Sequence, residues 1–148
     1  MASRAHIQIK FEDNGVDVQA ASILPCNESG GECIFIGRTR HETSAKHGTL
    51  VALQYDCYQT MAETEVHRLA VEAVDRFAVH AVHVTHSIGL VAIGEASVVI
   101  AVGSDHRDDA FLACRFMIDM LKLRVPIWKQ EQWADGSTWS KGVRLQSI

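Results

Sequence analysis

The pattern of hydrophobic and polar residues predicts several strands in the middle of this chain. Apolar alternation and β-branched runs carry this prediction. The strands are expected at residues 32–37, 49–58, 79–88 and 95–102. The first should be buried, and the last, which is the most apolar, should lie centrally in a sheet.

Side-chain alternation adds detail to the strands. Ile7 and Ile9 alternate with polar residues, which favours an edge strand near the start of the chain. Val51, Leu53 and Tyr55 should share one face of the second middle strand, because successive side chains of a strand point to opposite faces.

Two helices are predicted from apolar residues at helical spacing. The first covers residues 59–77. The second follows Ser104 or Asp105, either of which can cap it. Pro126 should end this helix by residue 125, since the residue before a proline disfavours helical geometry.

The residue pattern at the end of the chain predicts a β-hairpin. It comprises residues 127–133, a turn at Asp135-Gly136 and a return segment at 138–140. The element order is then β-β-α-β-β-α-β-β. It indicates an α+β fold with a mixed or antiparallel sheet, two main helices and a C-terminal hairpin, in a single domain over residues 1–148. Residues 1–28 are weakly assigned, and no function is given to them.

Composition and charge narrow the functional classes. A chain of 148 residues with 47% hydrophobic and 22% charged residues suits one soluble globular domain. Its net charge of −4 argues against a general nucleic-acid binder. We expect neither a membrane span, which needs ~20 apolar residues, nor a signal peptide.

The chain has four cysteines, Cys26, Cys33, Cys57 and Cys114. They include no CxxC pair, and their spacings fit no zinc module. Cys33 and Cys57 lie in apolar strand-like runs, and Cys114 lies on an apolar helix face. We expect buried, reduced thiols in a cytoplasmic protein.

A histidine-arginine pair lies where the second helix should begin. The N-terminus of a helix binds anions, and an arginine beside it suits phosphate, so His106 and Arg107 indicate an anion site. Ion pairing of Arg107 with Asp108 or Asp109 on the surface explains the same residues equally well.

Two lysines, Lys122 and Lys129, flank the turn at Pro126. Lysine can neutralise phosphate, and a desolvated lysine can act as an acid, base or nucleophile. Each also has a structural explanation. Lys122 would complement the helix dipole, and Lys129 would be a solvent-facing strand lysine.

Arg38 and Arg40, with Thr39 between them, could form a second anion clamp after a buried strand. A solvated basic loop is the more common outcome for such a segment. His80, His83 and His86 suggest no metal site, because strand spacing sends neighbouring histidines to opposite faces and no further ligand completes a set.

One distance constrains any site that uses both ends of the second helix. At ~1.5 Å of rise per residue, His106 and Lys122 lie roughly 24 Å apart along the axis. Either there are two sites, or a symmetric dimer brings His106 and Arg107 of one subunit to Lys122 and Lys129 of the other. The second arrangement uses all four residues.

At these residues the chain resembles the large, catalytic subunit of molybdopterin synthase, the MoaE family. The resemblance runs from about Gly31 to Trp139. Its main segments are Phe35-Ile-Gly-Arg-Thr-Arg40, Leu53-Gln-Tyr-Asp-Cys-Tyr58, His86-Ser-Ile-Gly-Leu90, Ser104-Asp-His-Arg107 and Leu121-Lys-Leu-Arg-Val-Pro-Ile-Trp-Lys129-Gln-Glu131.

The resemblance implies an α/β-hammerhead fold and a homodimer within a heterotetramer. The partner would be a small ubiquitin-like sulfur-carrier subunit with a C-terminal Gly-Gly thiocarboxylate. It would supply sulfur to cyclic pyranopterin monophosphate, forming the dithiolene of molybdopterin for molybdenum cofactor biosynthesis. Neither a metal nor another cofactor is expected in this subunit.

By the same resemblance, Lys122 and Lys129 would be the catalytic pair. The substrate-binding set would be Arg38, Thr39, Arg40, His106, Arg107, Lys122, Lys129, Gln130 and Glu131. His41-Glu42 depart from the family, which commonly has asparagine after the arginine that matches Arg40.

Two other functions fit the sequence. One is a non-catalytic α+β module that binds a phosphorylated metabolite, which would need the arginines and histidine but not both lysines. The other is a dimerisation domain whose basic residues form surface ion pairs that contribute little each.

Overall fold

The computed structural model describes residues 5–25 and 27–139 of the chain. Its strands are β1 His6–Asp13, β2 Gly31–Arg38, β3 Thr43–Ser44, β4 Gly48–Cys57, β5 Val79–Ala92, β6 Ala96–Ser104, β7 Ile127–Trp133 and β8 Gly136–Trp139. Its helices are α1 Val18–Ala21, α2 Gln59–Phe77 and α3 Arg107–Arg124. Predictions for Cys26, for Ser140 and for the outermost ends of the domain lie outside the described residues.

The strands form one mixed sheet in the order β2-β6-β5-β4-β7-β8. The long β5 pairs in parallel with β1 through its first part and antiparallel with β4 through its last four residues. All nine positions of β6 are buried, so its predicted place inside the sheet is confirmed. The α+β class and the mixed sheet are confirmed as well, and so is the edge position of β1.

The two long helices cover the sheet and contact each other. Their buried residues recur at helical spacing: Ala62, Val66, Leu69, Ala70, Ala73 and Val74 on α2, and Ala110, Ala113, Cys114, Met117, Ile118 and Leu121 on α3. Arg124 at the end of α3 pairs with Glu65 and Glu72 of α2 at 3.0 and 3.2 Å. This arrangement fixes where α3 ends and where β7 begins.

The prediction of a buried first strand was wrong. β2 ends the sheet and pairs with β6 alone among the described strands. Its burial alternates, and Ile34 is 40% exposed. Cys33 on β2 and Cys57 at the end of β4 are half-buried rather than buried, whereas Cys114 is buried as predicted.

The predicted face of β4 was wrong at one residue. Leu53 and Tyr55 are buried, but Val51 is 53% exposed. The pairing of β4 with β7 shifts register between Leu50 and Ala52, so Val51 is the extra residue of a β-bulge. The bulge turns Val51 outward and places Leu50 in the core.

Most of the remaining boundaries agree with the pattern, but β5 continues to Ala92, four residues beyond its predicted end, and the short α1 and β3 were not predicted. α2 has the predicted bounds, and α3 ends before Pro126 with Val125 as its C-cap. β7 and β8 form the predicted hairpin, in which Trp133 pairs with Gly136. Within the described residues, no helix combines the length and the apolar character that a membrane crossing requires.

Candidate functional site

Lys129 is placed inside the fold by the pairing of β7 with β4. It lies opposite Tyr55, and only 6% of it is exposed. Burial lowers the pKa of Lys129, the nearby carboxylates of Glu131 and Glu42 raise it, and the charge of Lys122 lowers it. The alternative explanation of Lys129 as a solvent-facing strand lysine is therefore wrong, because its side chain is desolvated.

Lys129 lines a small polar pocket between the end of β2 and the β4–β7 pair. The other lining residues are Arg38, Arg40, Glu42, Leu50, Leu53, Tyr55 and Glu131. Three cations from distant parts of the chain thus share one concave site with two carboxylates. Such a site can hold an anion, because the guanidinium groups provide fixed donors and the lysine adds positive charge.

Arg38 and Arg40 lie at the rim of this pocket. The guanidinium of Arg38 donates to the carbonyl of Gly94 at 2.8 Å, which anchors it beside the β5–β6 turn. Arg40 forms an ion pair with Glu42 at 3.4 Å, and its side chain is 80% exposed. Both arginines reach the same pocket, as the predicted clamp requires.

Thr39 lies between the two arginines but faces the other way. It is buried, and its hydroxyl donates to the carbonyl of Val91 at 3.2 Å. Its amide donates to the carbonyl of Glu95, and its own carbonyl accepts from Gly94. Thr39 therefore fastens the segment that carries the arginines and does not line the pocket.

Lys122 is half-buried in the last turn of α3. It lines a separate groove of about 400 Å³ between β2 and α3, together with Cys33, Phe35, Phe111 and Ile118 among others. Its charge nevertheless lowers the pKa of Lys129, so the two lysines interact although they line different cavities.

Gln130 and Glu131 lie on opposite faces of β7. Glu131 shares the face of Lys129 and lines the pocket. Gln130 lies opposite Gln54 in the strand pairing, and its side chain points to the other face of the sheet. Within one chain, Glu131 joins the candidate site and Gln130 does not.

His106 and Arg107 begin α3 and are exposed. His106 is the N-cap residue but makes no side-chain capping bond, so the predicted capping by Ser104 or Asp105 was wrong. Asp105 instead pairs with His80 at 2.6 Å, and that hydrogen bond lowers the pKa of Asp105.

The length of α3 separates these residues from the pocket. The helix has 18 residues. At ~1.5 Å per residue, its ends are roughly 26 Å apart. A single chain thus brings together Arg38, Arg40, Lys129 and Glu131, with Lys122 close by, and leaves His106 and Arg107 at the far end.

The three histidines of β5 have separate surroundings, as the strand prediction requires. His86 is buried between the rings of Tyr55 and Phe11, and burial lowers its pKa to about 4. His83 bonds to His6 at 2.8 Å, and burial lowers its pKa too. His80 holds Asp105.

Sequence reasoning missed four residues of the pocket. Its apolar wall is formed by Leu50, Leu53 and Tyr55. Their position in the pocket depends on the register between β4 and β7, and this register cannot be read from the local sequence pattern. Burial raises the pKa of Tyr55, so its phenol stays protonated. Glu42 carried a signal, since it departs from the family pattern beside an arginine.

Comparisons with known proteins give consistent results. A family model described as MoaE protein matches residues 11–124. The molybdopterin synthase catalytic subunit of Pyrococcus abyssi is 34% identical over 142 residues, which cover 96% of this chain and 94% of that protein.

Solved structures agree with the sequence comparison. The crystal structure of molybdopterin synthase from Staphylococcus aureus has a TM-score of 0.77 at 30% identity, covering 93% of this chain and 96% of that one. A complex of subunits 1 and 2 of molybdopterin-converting factor from Helicobacter pylori has a TM-score of 0.74 at 23% identity, covering 90% of each chain, and supports the fold.

Proposed function

Because the chain belongs to the MoaE family, we propose that it is the catalytic subunit of a molybdopterin synthase. In this reaction it transfers sulfur from a thiocarboxylated small carrier subunit to cyclic pyranopterin monophosphate and forms the dithiolene of molybdopterin. The observation that supports this most directly is Lys129, a buried cation in a pocket that also holds Arg38 and Arg40.

The two lysines have different roles in this proposal. Lys129 and the arginines balance the negative charge of the substrate phosphate. Lys122, which lines the groove between β2 and α3, stabilises the tetrahedral centre that forms at the thiocarboxylate carbon or transfers a proton there. Burial lowers the pKa of Lys129, and the charge of Glu131 raises it in the opposite direction and so favours the protonated form.

The assembly is part of the proposal. A small ubiquitin-like carrier with a C-terminal Gly-Gly thiocarboxylate binds each subunit, and two subunits form a homodimer within a heterotetramer. The Helicobacter pylori structure is a complex of two different subunits, which supports the same kind of pairing. The dimer would bring His106 and Arg107 to the partner's pocket, with Gln130 and Thr39 supporting the site indirectly.

We place this reaction in the cytoplasm. Half-buried Cys33 and Cys57 and buried Cys114 are free thiols, which suits a reducing compartment. Cell fractionation with an antibody against the chain tests this location, and enrichment in an oxidising compartment would contradict it.

The experiment that tests the function follows dithiolene product. Purified protein is mixed with cyclic pyranopterin monophosphate and a thiocarboxylated Gly-Gly carrier, and a known synthase serves as positive control. We expect product that depends on this chain and that is lost in Lys122→Ala with folding retained. Wild-type turnover by that variant would sink the catalytic assignment.

A non-catalytic module that binds a phosphorylated metabolite remains the second candidate. It is favoured by one observation: Lys122 lines the groove rather than the pocket that holds the arginines. This candidate predicts ligand binding without product, and an unchanged ligand affinity in Lys122→Ala.

A further inference from the structure

The pocket contains a carboxylate that the reaction does not require. We propose that Glu42 acts as an internal counter-anion that lowers the affinity of the pocket for its anionic ligand. In the substrate-free chain its carboxylate holds Arg40, and an incoming phosphate must displace it. This inference rests on the proposed anion-binding role of the pocket.

The contact between Glu42 and Arg40 is suited to displacement. The two groups are 3.4 Å apart, and their side chains are 41% and 80% exposed. Exposed ion pairs of this kind contribute little to stability, since water and salt screen them. Arg40 can therefore exchange Glu42 for a ligand at a small cost.

The backbone of Glu42 keeps its carboxylate near the pocket. Its carbonyl accepts a hydrogen bond from the amide of Leu50 at 2.8 Å, just before the short β3–β4 pair. The side chain can rotate away from Arg40 while the backbone stays in place. Displacement thus needs a rotamer change and no rearrangement of the loop.

Glu42 also acts on the buried lysine. Its negative charge raises the pKa of Lys129, against the effect of burial. A phosphate that takes the place of Glu42 beside Arg40 would supply the same negative charge. Lys129 therefore keeps a counter-charge before and after the ligand binds, which limits the cost of burying it.

Arg40 itself favours phosphate over carboxylate ligands. A phosphate presents more acceptor oxygens to the guanidinium than a carboxylate does. Because every ligand must displace the same Glu42 carboxylate, Glu42 lowers the affinity for all anions by the same factor. Glu42 therefore sets how tightly the pocket binds, and the preference for phosphate comes from the cations.

Calorimetric titration with inorganic phosphate at low ionic strength tests this role. Glu42→Gln should bind phosphate about two- to five-fold more tightly than the wild type, the range expected for loss of one exposed competing ion pair. Asp135→Asn is the matched control. Asp135 is a similarly exposed carboxylate, paired with His47 at 3.1 Å, and it lies outside both cavities.

The outcomes separate this inference from the proposed function. Equal phosphate affinity in the wild type and Glu42→Gln, or an equal gain in Asp135→Asn, overturns the inference even if the wild type makes dithiolene. Absence of phosphate binding in both the wild type and Glu42→Gln overturns it as well. A gain in Glu42→Gln alone upholds it even if the wild type makes no product.

The synthase assay adds a second measurement. Glu42→Gln should lower the KM for the phosphate-bearing substrate, and the alkaline limb of its pH profile should move to lower pH because Lys129 loses a stabilising charge. A change in kcat with neither effect would indicate a structural role for Glu42 and would overturn the inference.

Discussion

Lys129 carries the highest energetic cost of any residue in the candidate site. A buried ammonium loses its hydration, and this loss lowers its pKa. The fold keeps two carboxylates near it, one from its own strand and one from the loop after β2. The side chain of Lys129 is largely shielded from solvent, so its positive charge acts on a bound anion more strongly than it would in bulk water.

The pH dependence of the reaction should report on this lysine. If protonated Lys129 balances negative charge, kcat/KM falls as pH rises through its pKa, which lies below the usual 10.5. Lys129→Arg keeps its charge throughout and should lose that alkaline limb. Lys129→Ala should reduce kcat/KM by about 100-fold at neutral pH. An unchanged alkaline limb in Lys129→Arg would exclude this role.

His86 should make the fold sensitive to acid. Its pKa is about 4 in the folded chain and about 6.5 when exposed. Between these values the unfolded chain binds more protons, so the free energy of unfolding falls as pH drops from 6.5 to 4. The loss amounts to about 3 kcal/mol and levels off below pH 4.

Urea unfolding across this pH range, with a His86→Phe variant, measures the effect. Phenylalanine suits the aromatic surroundings of Tyr55 and Phe11 and removes the titrating group. In this variant, the free energy of unfolding should change much less between pH 6.5 and 4 than in the wild type. The titration of His83 should account for part of the change that remains. His67→Phe, at an exposed position of α2, is the control. Parallel slopes in His86→Phe and the wild type would refute the assignment.

At the scale of elements, the sequence predicted types and boundaries well because local patterns encode them. α2 has the predicted bounds since its apolar residues recur at helical spacing and glycine and proline are absent from it. The wrong predictions concern the exposure of strand residues, which depends on the strands that lie next to them. The exposure of β2 depends on its place at the end of the sheet, and that of Val51 depends on a bulge against β7.

The same distinction applies to the site. Arg38, Arg40 and Lys129 could be recognised as candidate cations in the sequence, Glu131 was expected only from the family resemblance, and the structure places all four in one pocket. The pocket's apolar wall could not be predicted, because it depends on strand register. The burial of Lys129 was also missed, since a lysine between Trp128 and Gln130 fits an exposed strand equally well.

The connection between α2 and β5 should respond to a single substitution. Ala78, the C-cap residue of α2, has a φ of 54° in the left-handed region. Glycine adopts this conformation without strain, so Ala78→Gly should raise the free energy of unfolding by about 1 kcal/mol. Urea unfolding of the variant and the wild type measures this difference in free energy. Ala45→Gly, at an exposed turn position without positive φ, should give no gain.

At the scale of the whole molecule, one chain holds an incomplete version of the predicted site. The pocket and Lys122 lie near the end of α3, whereas His106 and Arg107 lie at its start. A two-fold dimer can place the start of one α3 beside the pocket of the other subunit, because such an interface repeats each contact twice.

Mixed dimers test this shared site. Subunits carrying Arg107→Ala are exchanged with subunits carrying Lys122→Ala, each variant being nearly inactive alone. In a mixed dimer, one pocket then contains both wild-type residues and the other contains neither. Random exchange makes half of the dimers mixed, so activity should recover to about one quarter of the wild-type value. If each pocket used residues of one chain only, every pocket would keep a defect, and activity would stay at the level of the separate variants after subunit exchange is verified.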